Sequence, residues 1–153
     1  MWLVRDWTWA MAHRLTGGYQ GPCSNLHGHT YKCQMSIAGT KYNPHGMLMD
    51  FKDIKEHFQG WIDLYLDHAV IVDLQDSALL AFLTQEHSKY YVLGACNTTA
   101  ENIAKHLFKI FDCELAAHFP GLKLGPLAVY ETEHNRAVCF DSDVGTAPPG
   151  FGV

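Results

Sequence analysis

A cysteine and two histidines lie close together near the N-terminus, in the stretch Cys23-Ser-Asn-Leu-His27-Gly-His29. Side chains alternate between the two faces of a β-strand, so a His-x-His pair in a strand presents both imidazoles on one face. In an α-helix the same two positions point about 200° apart. The spacing therefore predicts a strand that carries two metal ligands, and one further ligand would complete a catalytic zinc site.

A third histidine is placed to join this pair. Residues 2 to 13 are mostly apolar and rich in Trp, and they are predicted to form a strand that ends at His13. Residues 30 to 38 alternate between apolar and polar side chains, which is typical of a second strand. A loop with glycine and proline joins the two, so an antiparallel pairing would bring His13 to the end that carries His27 and His29. Three imidazoles suit zinc, and other divalent metals also use them.

Cys23 and the pair Asp67-His68 are the candidates for proton transfer. Cys23 lies in the loop just before the predicted ligands, where a nearby cation would favour a reactive thiolate. The alternative is a buried, inert thiol. A carboxylate such as Asp67 can orient a neighbouring imidazole and raise its basicity. An ordinary helix terminus, with His68 near the negative end of the helix dipole, explains the same pair equally well.

Two glutamates are candidates for substrate binding. Glu101 has a structural alternative, because Thr98-x-x-Glu101 fits a helix capping box. Glu131 ends an apolar strand pattern, where a buried carboxylate would need a partner such as the paired N–H donors of a ligand. Otherwise it lies just past the buried end of that strand. No role is assigned to the other histidines, at positions 45, 57, 87, 106, 118 and 134.

The wider pattern predicts one α+β domain over residues 1–145 and an irregular tail over 146–153. The predicted order is β-β-α-α-β-β, a four-stranded antiparallel sheet with two long helices on one face. The first long helix is capped by Asp50 and carries an apolar stripe, and the second opens at Thr98-Thr99-Ala100-Glu101. A short helix is predicted between the two, over residues 76 to 87. The predicted closing hairpin comprises residues 126 to 132 and 136 to 141.

The aromatic residues suggest that the second face of this sheet is not simply solvated. Those concerned are Trp2, Trp7, Trp9, Tyr31 and Tyr130. An apolar face without a cover and exposed strand edges both favour assembly of several copies into a closed ring of sheets.

Composition limits the class of protein. The net charge of −5 gives no indication of a nucleic-acid or anionic-membrane partner. No apolar run approaches the ~20 residues that span a bilayer, and charges stand where a signal peptide would be apolar. The five cysteines contain no CxxC pair and do not suggest a disulfide framework. A reducing cytoplasm is the expected location.

Six short motifs together resemble the 6-pyruvoyl-tetrahydropterin synthase family, over nearly the whole chain, and within it the bacterial branch that makes a 6-carboxy product for queuosine. The order in which they occur is more specific than any one of them. They are Ala12-His13, Cys23-x-x-x-His27-Gly28-His29, Gly46-Met47-x-x-Asp50-Phe51, Leu66-Asp67-His68, Thr99-x-Glu101-Asn102 and Tyr130-Glu131-Thr132.

The resemblance implies a role for each candidate residue. His13, His27 and His29 would bind Zn²⁺. Cys23 would be the general base, with Asp67 and His68 as the proton-relay pair. Glu131 would anchor the N–H groups of a pterin, with Thr99 and Glu101 nearby. The family fold is the tunnelling fold, in which sheets of several subunits form a barrel, as a trimer or a hexamer, with active sites at subunit interfaces.

The implied substrate is 7,8-dihydroneopterin triphosphate, which would lose triphosphate and acetaldehyde to give 6-carboxy-5,6,7,8-tetrahydropterin. The short spacing between Cys23 and His27 and the pair Asp50-Phe51 favour this branch. Two departures concern the substrate pocket: Thr98 stands where many bacterial members have Pro, and the stretch from residue 71 to 96 is expanded. A 6-pyruvoyl synthase, or a non-catalytic pterin- or purine-binding module with structural zinc, are the alternatives. Arg14, Lys32 and Lys52 are candidates for contacts with the triphosphate.

Overall fold

The computed structural model describes residues 1–141, which contain one six-stranded sheet. The strands lie in the order β4-β3-β1-β2-β5-β6 across the sheet. Their bounds are β1 Trp2–His13, β2 His27–Ala38, β3 Ala69–Asp73, β4 Tyr90–Gly94, β5 Lys123–Tyr130 and β6 Arg136–Cys139. The predicted tail, residues 146–153, and the predicted domain boundary at residue 145 lie outside the described residues.

The long hairpin of β1 and β2 forms the centre of the sheet. Its twelve antiparallel residue pairs run from Trp2 opposite Ala38 to His13 opposite His27. Every second side chain of both strands faces the main core, as the alternation predicted. Those buried there are Trp7, Trp9, Met11, Tyr31, Cys33, Met35 and Ile37. The predictions for these two strands are confirmed.

The predicted four-stranded antiparallel sheet is wrong in its strand count and in part of its direction. The sheet has two more strands, β3 and β4, and β1 pairs with β3 and β3 with β4 in parallel. Both strands are only five residues long, which leaves little room for an alternating pattern. Strand β3 is also buried along nearly its whole length, so its residues do not alternate between apolar and polar. The stretch from residue 71 to 96 thus belongs to a β-α-β unit added to the predicted order, whose helix α3 is Ser77–Gln85.

The first long helix has three consecutive parts, α1 Phe51–Ile54, a π-helical turn Lys55–Gln59 and α2 Gly60–Tyr65. As predicted, the side chain of Asp50 caps it, accepting a hydrogen bond from the Lys52 N–H. Its buried residues recur every fourth position, at 54, 58, 62 and 66. In a regular α-helix each such step drifts by about 40° around the axis. The wider π turn reduces this drift and keeps the buried residues in one stripe.

Two helices cover opposite faces of the sheet. Helix α4, Ala100–His118, packs with the first long helix on the main core. The predicted short helix, observed as α3, buries Leu79 and Leu83 against Val72, in a separate small core. Ile71 belongs to the main core, so Val72 faces the other side of β3. The prediction that the two long helices share one face is therefore confirmed, and α3 lies on the other face. No helix within residues 1–141 is long and apolar enough to cross a membrane.

The aromatic residues lie mainly in the main core and not on the second face. Trp7, Trp9 and Tyr31 are buried there, and the rings of Trp9 and Tyr31 stack with centroids 5.5 Å apart. These three therefore do not support an aromatic second face, whereas Trp2 and Tyr130 are half-buried and lie on that face, by the alternation of their strands. The second face also exposes smaller residues of the central strands, such as Thr8 and Thr30. The sheet still ends in two outer strands, β4 and β6.

A charged pair fixes the chain just after β1. The Arg14 guanidinium donates two hydrogen bonds of 2.7 Å to the carboxylate of Asp76, which is almost fully buried. The same carboxylate caps α3 by accepting from the Leu79 N–H. The bonds from Arg14, opposed by burial, lower the pKa of Asp76. This pair links the added β-α-β unit to the residue that follows His13.

We expect Asp76→Ala to lower the free energy of unfolding by about 3 kcal/mol, because it removes a helix cap and leaves Arg14 without its charge partner. Asp112→Asn, an exposed carboxylate on α4, is the control and should change the stability little. Chemical denaturation measures both. Equal stability of the two variants would show that the pair contributes nothing.

The pair also predicts a pH dependence with a definite sign. The pKa of Asp76 is lowered from its usual value of 3.8, so its stabilisation is present above that value and is lost as the pH falls through the lower, folded-state pKa. Denaturation at a series of acid pH values should therefore show a steeper loss of stability in the unsubstituted protein than in Asp76→Ala.

Candidate functional site

Three imidazoles meet at one end of the central hairpin. His13 is the last residue of β1 and lies opposite His27, the first residue of β2, while His29 follows on the same face. One nitrogen from each ring lies within 4.8 Å of the nitrogens of the other two. The ring centroids of His13 and His27 are 4.6 Å apart, and those of His27 and His29 are 4.9 Å apart. The predicted convergence of three histidines is therefore present.

The hydrogen bonds of two rings leave their second nitrogens available as ligands. Nδ1 of His13 donates to the Thr98 carbonyl at 2.7 Å, and Nδ1 of His27 donates to the Asn25 carbonyl at 2.8 Å. Such bonds fix the tautomer and leave Nε2 unprotonated, as a metal requires. Nε2 of His13 is buried and has no hydrogen-bond partner. A buried imidazole nitrogen without a hydrogen-bond partner is expected of a metal ligand, so the cluster fits a metal.

Burial keeps the His13 ring neutral. Removal from water lowers the pKa of His13 to about 4, and the neighbouring His27 and His29 also lower it, while the bond to Thr98 opposes them. A neutral imidazole is the form that binds metal, so no proton has to be displaced from this ring near pH 7. The site is thus prepared for a cation by its surroundings.

The loop between β1 and β2 places Cys23 next to this cluster. The Leu15 N–H donates to the Cys23 carbonyl at 2.8 Å, which closes the loop across its ends. Thr16 anchors the same loop by donating from its hydroxyl to Asp73 and from its N–H to the side chain of Asn97. Cys23 forms no disulfide and is half-buried. Its thiol is therefore held near the ligands and stays accessible.

One cavity of about 240 Å³ joins the histidine cluster to the predicted substrate-binding residues. His13 and Cys23 lie on one side of it, and Glu131 lies at the end of β5. The start of α4 supplies another wall. The lining residues are His13, Leu15, Cys23, Thr99, Ala100, Glu101, Glu131, Asn135, Arg136 and Ala137. The cavity thus brings together Cys23 and every predicted substrate-binding residue.

The cap of α4 differs from the predicted capping box. Thr99, not Thr98, is the N-cap, and its hydroxyl accepts from the Asn102 N–H. The helix therefore starts one residue later than Thr98-x-x-Glu101 requires, and that structural explanation for Glu101 is wrong. Thr98 has another use, because its carbonyl orients His13 and its hydroxyl donates to the Arg14 carbonyl. Glu101 lies in the first turn of α4 and borders the cavity.

Glu131 is the first residue after β5, and this position leaves its carboxylate partly exposed. Its backbone N–H donates to the Asn135 carbonyl, which closes the turn between β5 and β6. One carboxylate oxygen lies 3.9 Å from Nε2 of His13. Burial raises the pKa of Tyr31 and so does the negative charge of Glu131. The carboxylate therefore lies beside the histidine cluster and borders the same cavity.

Asp67 and His68 form a hydrogen-bonded pair. Nδ1 of His68 donates to the Asp67 carboxylate at 2.9 Å, and the other carboxylate oxygen accepts from the Ala10 N–H at 3.0 Å. Burial opposes ionisation of Asp67, but the bonds from Ala10 and His68, with the charge of Lys89, lower its pKa. His68 has a positive φ of 56°, and its side chain is 81% exposed. The pair thus holds the His68 imidazole in a fixed orientation on the surface of the chain.

Within one chain, this pair does not share the cavity of Cys23. His68 lines a second, open hollow of about 500 Å³, formed with the hairpin residues Ala10, Gly28 and His29. Of the predicted site residues, the structure therefore groups His13, Cys23, Thr99, Glu101 and Glu131 around one cavity, and it places His68 at another. His29 is the predicted ligand that borders the hollow of His68.

Tyr19 and Arg136 are two residues at the site that the sequence did not single out. The charge of Cys23 as a thiolate raises the pKa of the neighbouring Tyr19 phenol. Arg136 lines the cavity and donates to the Tyr130 hydroxyl. Both lie in irregular or hairpin segments without a motif, so only their closeness in space to Cys23 and Glu131 reveals them.

The three cations considered from the sequence have other contacts. Arg14 is bound to Asp76, as described, and Lys32 lies over the Tyr130 ring at 4.1 Å. Lys52 pairs with Glu56 on the surface of the first long helix. Arg136 is the basic residue that lines the cavity, where it also contacts the Tyr130 hydroxyl and ring, and it is a further candidate for an anionic group of a substrate.

The chain belongs to the 6-pyruvoyl tetrahydropterin synthase family, because the model of that family matches residues 3–142. A 6-carboxy-5,6,7,8-tetrahydropterin synthase of Haemophilus influenzae is 34% identical over 136 residues, which cover 85% of this chain and 92% of that protein. The enzyme of the same name from Rickettsia bellii is 37% identical over 97 residues, covering 62% of this chain and 68% of that protein.

Solved structures have the same fold. An uncharacterized protein of Wolinella succinogenes has a TM-score of 0.76 at 20% identity, covering 92% of this chain and 98% of its own. A 6-pyruvoyltetrahydropterin synthase of Plasmodium vivax, in a variant whose catalytic glutamate is replaced by cysteine, has a TM-score of 0.68 at 16% identity. It covers 91% of this chain and 96% of its own length. At these identities the likeness shows the fold alone.

The ligand geometry predicts which substitutions change the metal content. We expect His27→Ala to hold one metal equivalent fewer per chain than the unsubstituted protein, because two imidazoles cannot replace three. Cys23→Ala should keep the full metal content, because the thiol is not among the three converging donors.

Elemental analysis of protein dialysed against a weak chelator measures this difference. His134→Ala, an exposed histidine of the β5–β6 turn, is the matched control and should behave as the unsubstituted protein. An undiminished metal content in His27→Ala would refute the ligand assignment.

Proposed function

We propose that the protein is a zinc-dependent carbon–oxygen lyase that converts 7,8-dihydroneopterin triphosphate to 6-carboxy-5,6,7,8-tetrahydropterin. Triphosphate and acetaldehyde leave, and one water molecule is consumed because the new carboxyl group needs a second oxygen. The convergence of His13, His27 and His29 beside a cavity that holds Cys23 and Glu131 is the observation that carries this proposal. The matching relatives with the name 6-carboxy-5,6,7,8-tetrahydropterin synthase support it.

His13, His27 and His29 would hold the zinc ion. A zinc ion with three imidazole ligands keeps a position open and supplies Lewis acidity, which here would act on the side-chain hydroxyls of the substrate and acidify the adjacent C–H. The carbonyls of Thr98 and Asn25 orient the first two rings. These outer contacts hold the ligands in place before any substrate arrives.

Cys23 would act as the general base that removes a proton from the substrate side chain. Its place on the cavity wall, beside His13, suits this role. His68 would move protons elsewhere on the side chain, because its Nδ1 donates to Asp67 and its Nε2 is left to exchange a proton. Asp67, in turn, is held by the Ala10 N–H and orients the imidazole without needing to accept the proton itself.

Glu131 would anchor the pterin ring. A carboxylate presents two oxygens, which match the adjacent amide and amine N–H donors of a pterin. Thr99 and Glu101 border the same space and would contact the ring or its side chain. Arg136, the basic residue of the cavity wall, lies across the hairpin from Tyr130 and beside Glu131, and would contact an anionic group of the substrate.

The complete site would need more than one subunit. The cavity of about 240 Å³ is smaller than the ~300–1,000 Å³ of usual small-molecule sites, and a pterin triphosphate is a large substrate. His68 is highly exposed and lies at a different hollow from Cys23. A homo-oligomer, a trimer or hexamer in which outer strands β4 and β6 pair, would close the sheets into a barrel and bring His68 of one subunit to Cys23 of the next.

The product distinguishes this proposal from a 6-pyruvoyl synthase, which would stop after triphosphate elimination. The names of the matching relatives and the three-residue spacing between Cys23 and His27 favour the carboxy product. A place in queuosine synthesis and a cytoplasmic location are part of this proposal. A binding module with structural zinc would leave Cys23 without a role.

We expect the protein to release acetaldehyde and a 6-carboxy product from dihydroneopterin triphosphate, as measured by mass spectrometry. Cys23→Ala should be folded and metal-replete but slower by about 10²–10⁴-fold, because a general base contributes a factor of this size. Cys113→Ala, which removes an exposed thiol of α4, should keep full activity. A 6-pyruvoyl product without acetaldehyde would contradict the carboxy assignment, and normal turnover by Cys23→Ala would contradict the role of the thiol.

Mixed oligomers test whether the site is shared between subunits. We expect Cys23→Ala and His68→Ala each to be inactive alone, and their one-to-one mixture, after dissociation and reassembly, to recover about a quarter of the activity. Random pairing then produces some sites with both intact residues. A mixture of Cys23→Ala with Cys23→Ser is the control and should stay inactive. No recovery in the first mixture would place Cys23 and His68 in the same subunit.

A further inference from the structure

A second cluster of metal-binding side chains lies on the helix layer, away from the hairpin. It consists of His57, Glu114 and His118, whose donor atoms all lie within 4.8 Å of one another. Nδ1 of His57 is 2.7 Å from a carboxylate oxygen of Glu114, and Nε2 of His118 is 3.5 Å from the same oxygen. Two imidazoles and one carboxylate are a donor set that binds zinc in proteins.

The backbone gives these side chains fixed positions. Glu114 and His118 lie one turn apart on α4 and therefore on the same face. His57 belongs to the π-helical turn of the first long helix, a kind of turn that often occurs at functional sites. The buried Phe58 next to it holds this turn against the core. The Phe119 ring meets the His57 ring edge-on, with centroids 5.0 Å apart, and so limits its rotation.

The spacing of the donors suits a metal with small adjustments. Ligands about 2.1 Å from a tetrahedral zinc ion are about 3.4 Å from one another. The contact of 3.5 Å between His118 and Glu114 already fits this value, and the contact of 2.7 Å between His57 and Glu114 would have to widen by less than about 1 Å. Glu114 and His118 remain partly exposed, which leaves a path for the ion and space for a water ligand.

The cluster is separate from the three histidines at the hairpin. Glu101 lines the first cavity at the start of α4, while Glu114 lies near the end of the same helix. At 1.5 Å of rise per residue, these two glutamates are about 20 Å apart along the helix axis. The first cavity contains none of the residues of the second cluster, so one metal ion cannot serve both places.

We propose that His57, Glu114 and His118 form a second metal site that binds Zn²⁺ or a similar borderline divalent ion and links α4 to the first long helix. The ion takes the place of the proton shared between His57 and Glu114, which is released to solvent, and a water molecule completes the coordination. Imidazole and carboxylate donors also accept Co²⁺, so this ion serves as a spectroscopic probe. The site needs no pterin and does not depend on the proposed activity.

The competing explanation is a hydrogen-bonded contact without a metal. In that case Glu114 accepts from both histidines and only ties the helices together. Such a contact would contribute to stability in the absence of any ion. The two explanations differ in the number of metal equivalents that the folded chain binds, and not in the arrangement of the side chains.

The test counts bound metal in the full chain, first stripped with chelator, then loaded with Zn²⁺ and passed through a desalting column. We expect two equivalents per chain for the unsubstituted protein and for His45→Ala, which removes an exposed histidine outside both clusters. Glu114→Gln, which keeps the shape and an acceptor oxygen for His57, and His118→Ala should each bind one. Circular dichroism shows whether the variants remain folded.

A second measurement isolates the proposed site. In His27→Ala, which lacks the first site, Co²⁺ should still give the visible absorption of a tetrahedral complex, and adding His118→Ala should abolish it. Retention of both Zn²⁺ equivalents in Glu114→Gln and His118→Ala would overturn the proposal, and so would a His27→Ala protein that binds no Co²⁺. A loss of activity alone would concern the first site, so the two proposals fail separately.

Discussion

The antiparallel register of β1 and β2 is the constraint on which the site depends. It places His13 opposite His27 and lets His29 follow on the same face. A slip by one residue would turn every side chain of β2 to the other face of the sheet. Buried side chains such as Tyr31 and Ile37 prevent this, because such a slip would expose them to water. The apolar packing of the hairpin therefore determines the geometry of its polar end.

The remaining parts of the site come from distant segments that meet at this end. The residues just before α4 supply the carbonyl that orients His13, and Asn97 anchors the loop that carries Cys23. The turn after β5 brings Glu131 to the same cavity, with a carboxylate oxygen 3.9 Å from Nε2 of His13. Each contribution depends on the termination of a helix or strand, where backbone and side-chain groups are not used up by regular hydrogen bonding. This explains why a site with such varied chemistry can be built on an ordinary sheet and helix layer.

Much of this arrangement is visible in the sequence, because strong periodicity and motif chemistry coincide there. The alternation from Tyr31 to Ile37 and the spacing of His27 and His29 locate the hairpin and its ligands. The short strand β3 carries no such alternation because it is buried on both faces, and the outer strand β4 is too short and too evenly half-buried to show one. The sequence places the start of α4 one residue too early, because two adjacent threonines can each cap a helix. The separation of His68 from Cys23 depends on tertiary structure and has no counterpart in residue spacing.

The histidines with no motif around them show a further limit of sequence analysis. His57 and His118 are far apart in the chain, and each lies among ordinary helical residues. Only the packing of α4 on the first long helix reveals that Glu114 stands between them. The π turn that carries His57 is equally invisible, because it arises from the need to keep a stripe with four-residue spacing against the core.

The backbone conformation at His68 lowers the stability of the fold but keeps the imidazole that the proposed function needs. Its φ of 56° lies in the left-handed region, which costs a side chain with a Cβ about 1 kcal/mol and costs glycine nearly nothing. Two backbone groups of β1 hold the segment in place, because the Ala10 N–H binds Asp67 and the Ala10 carbonyl accepts from His68. A glycine at this position would relax the chain and remove the imidazole. Screens that select for thermal stability alone would therefore favour the loss of this histidine, and their most stable variants would be poor guides to active ones.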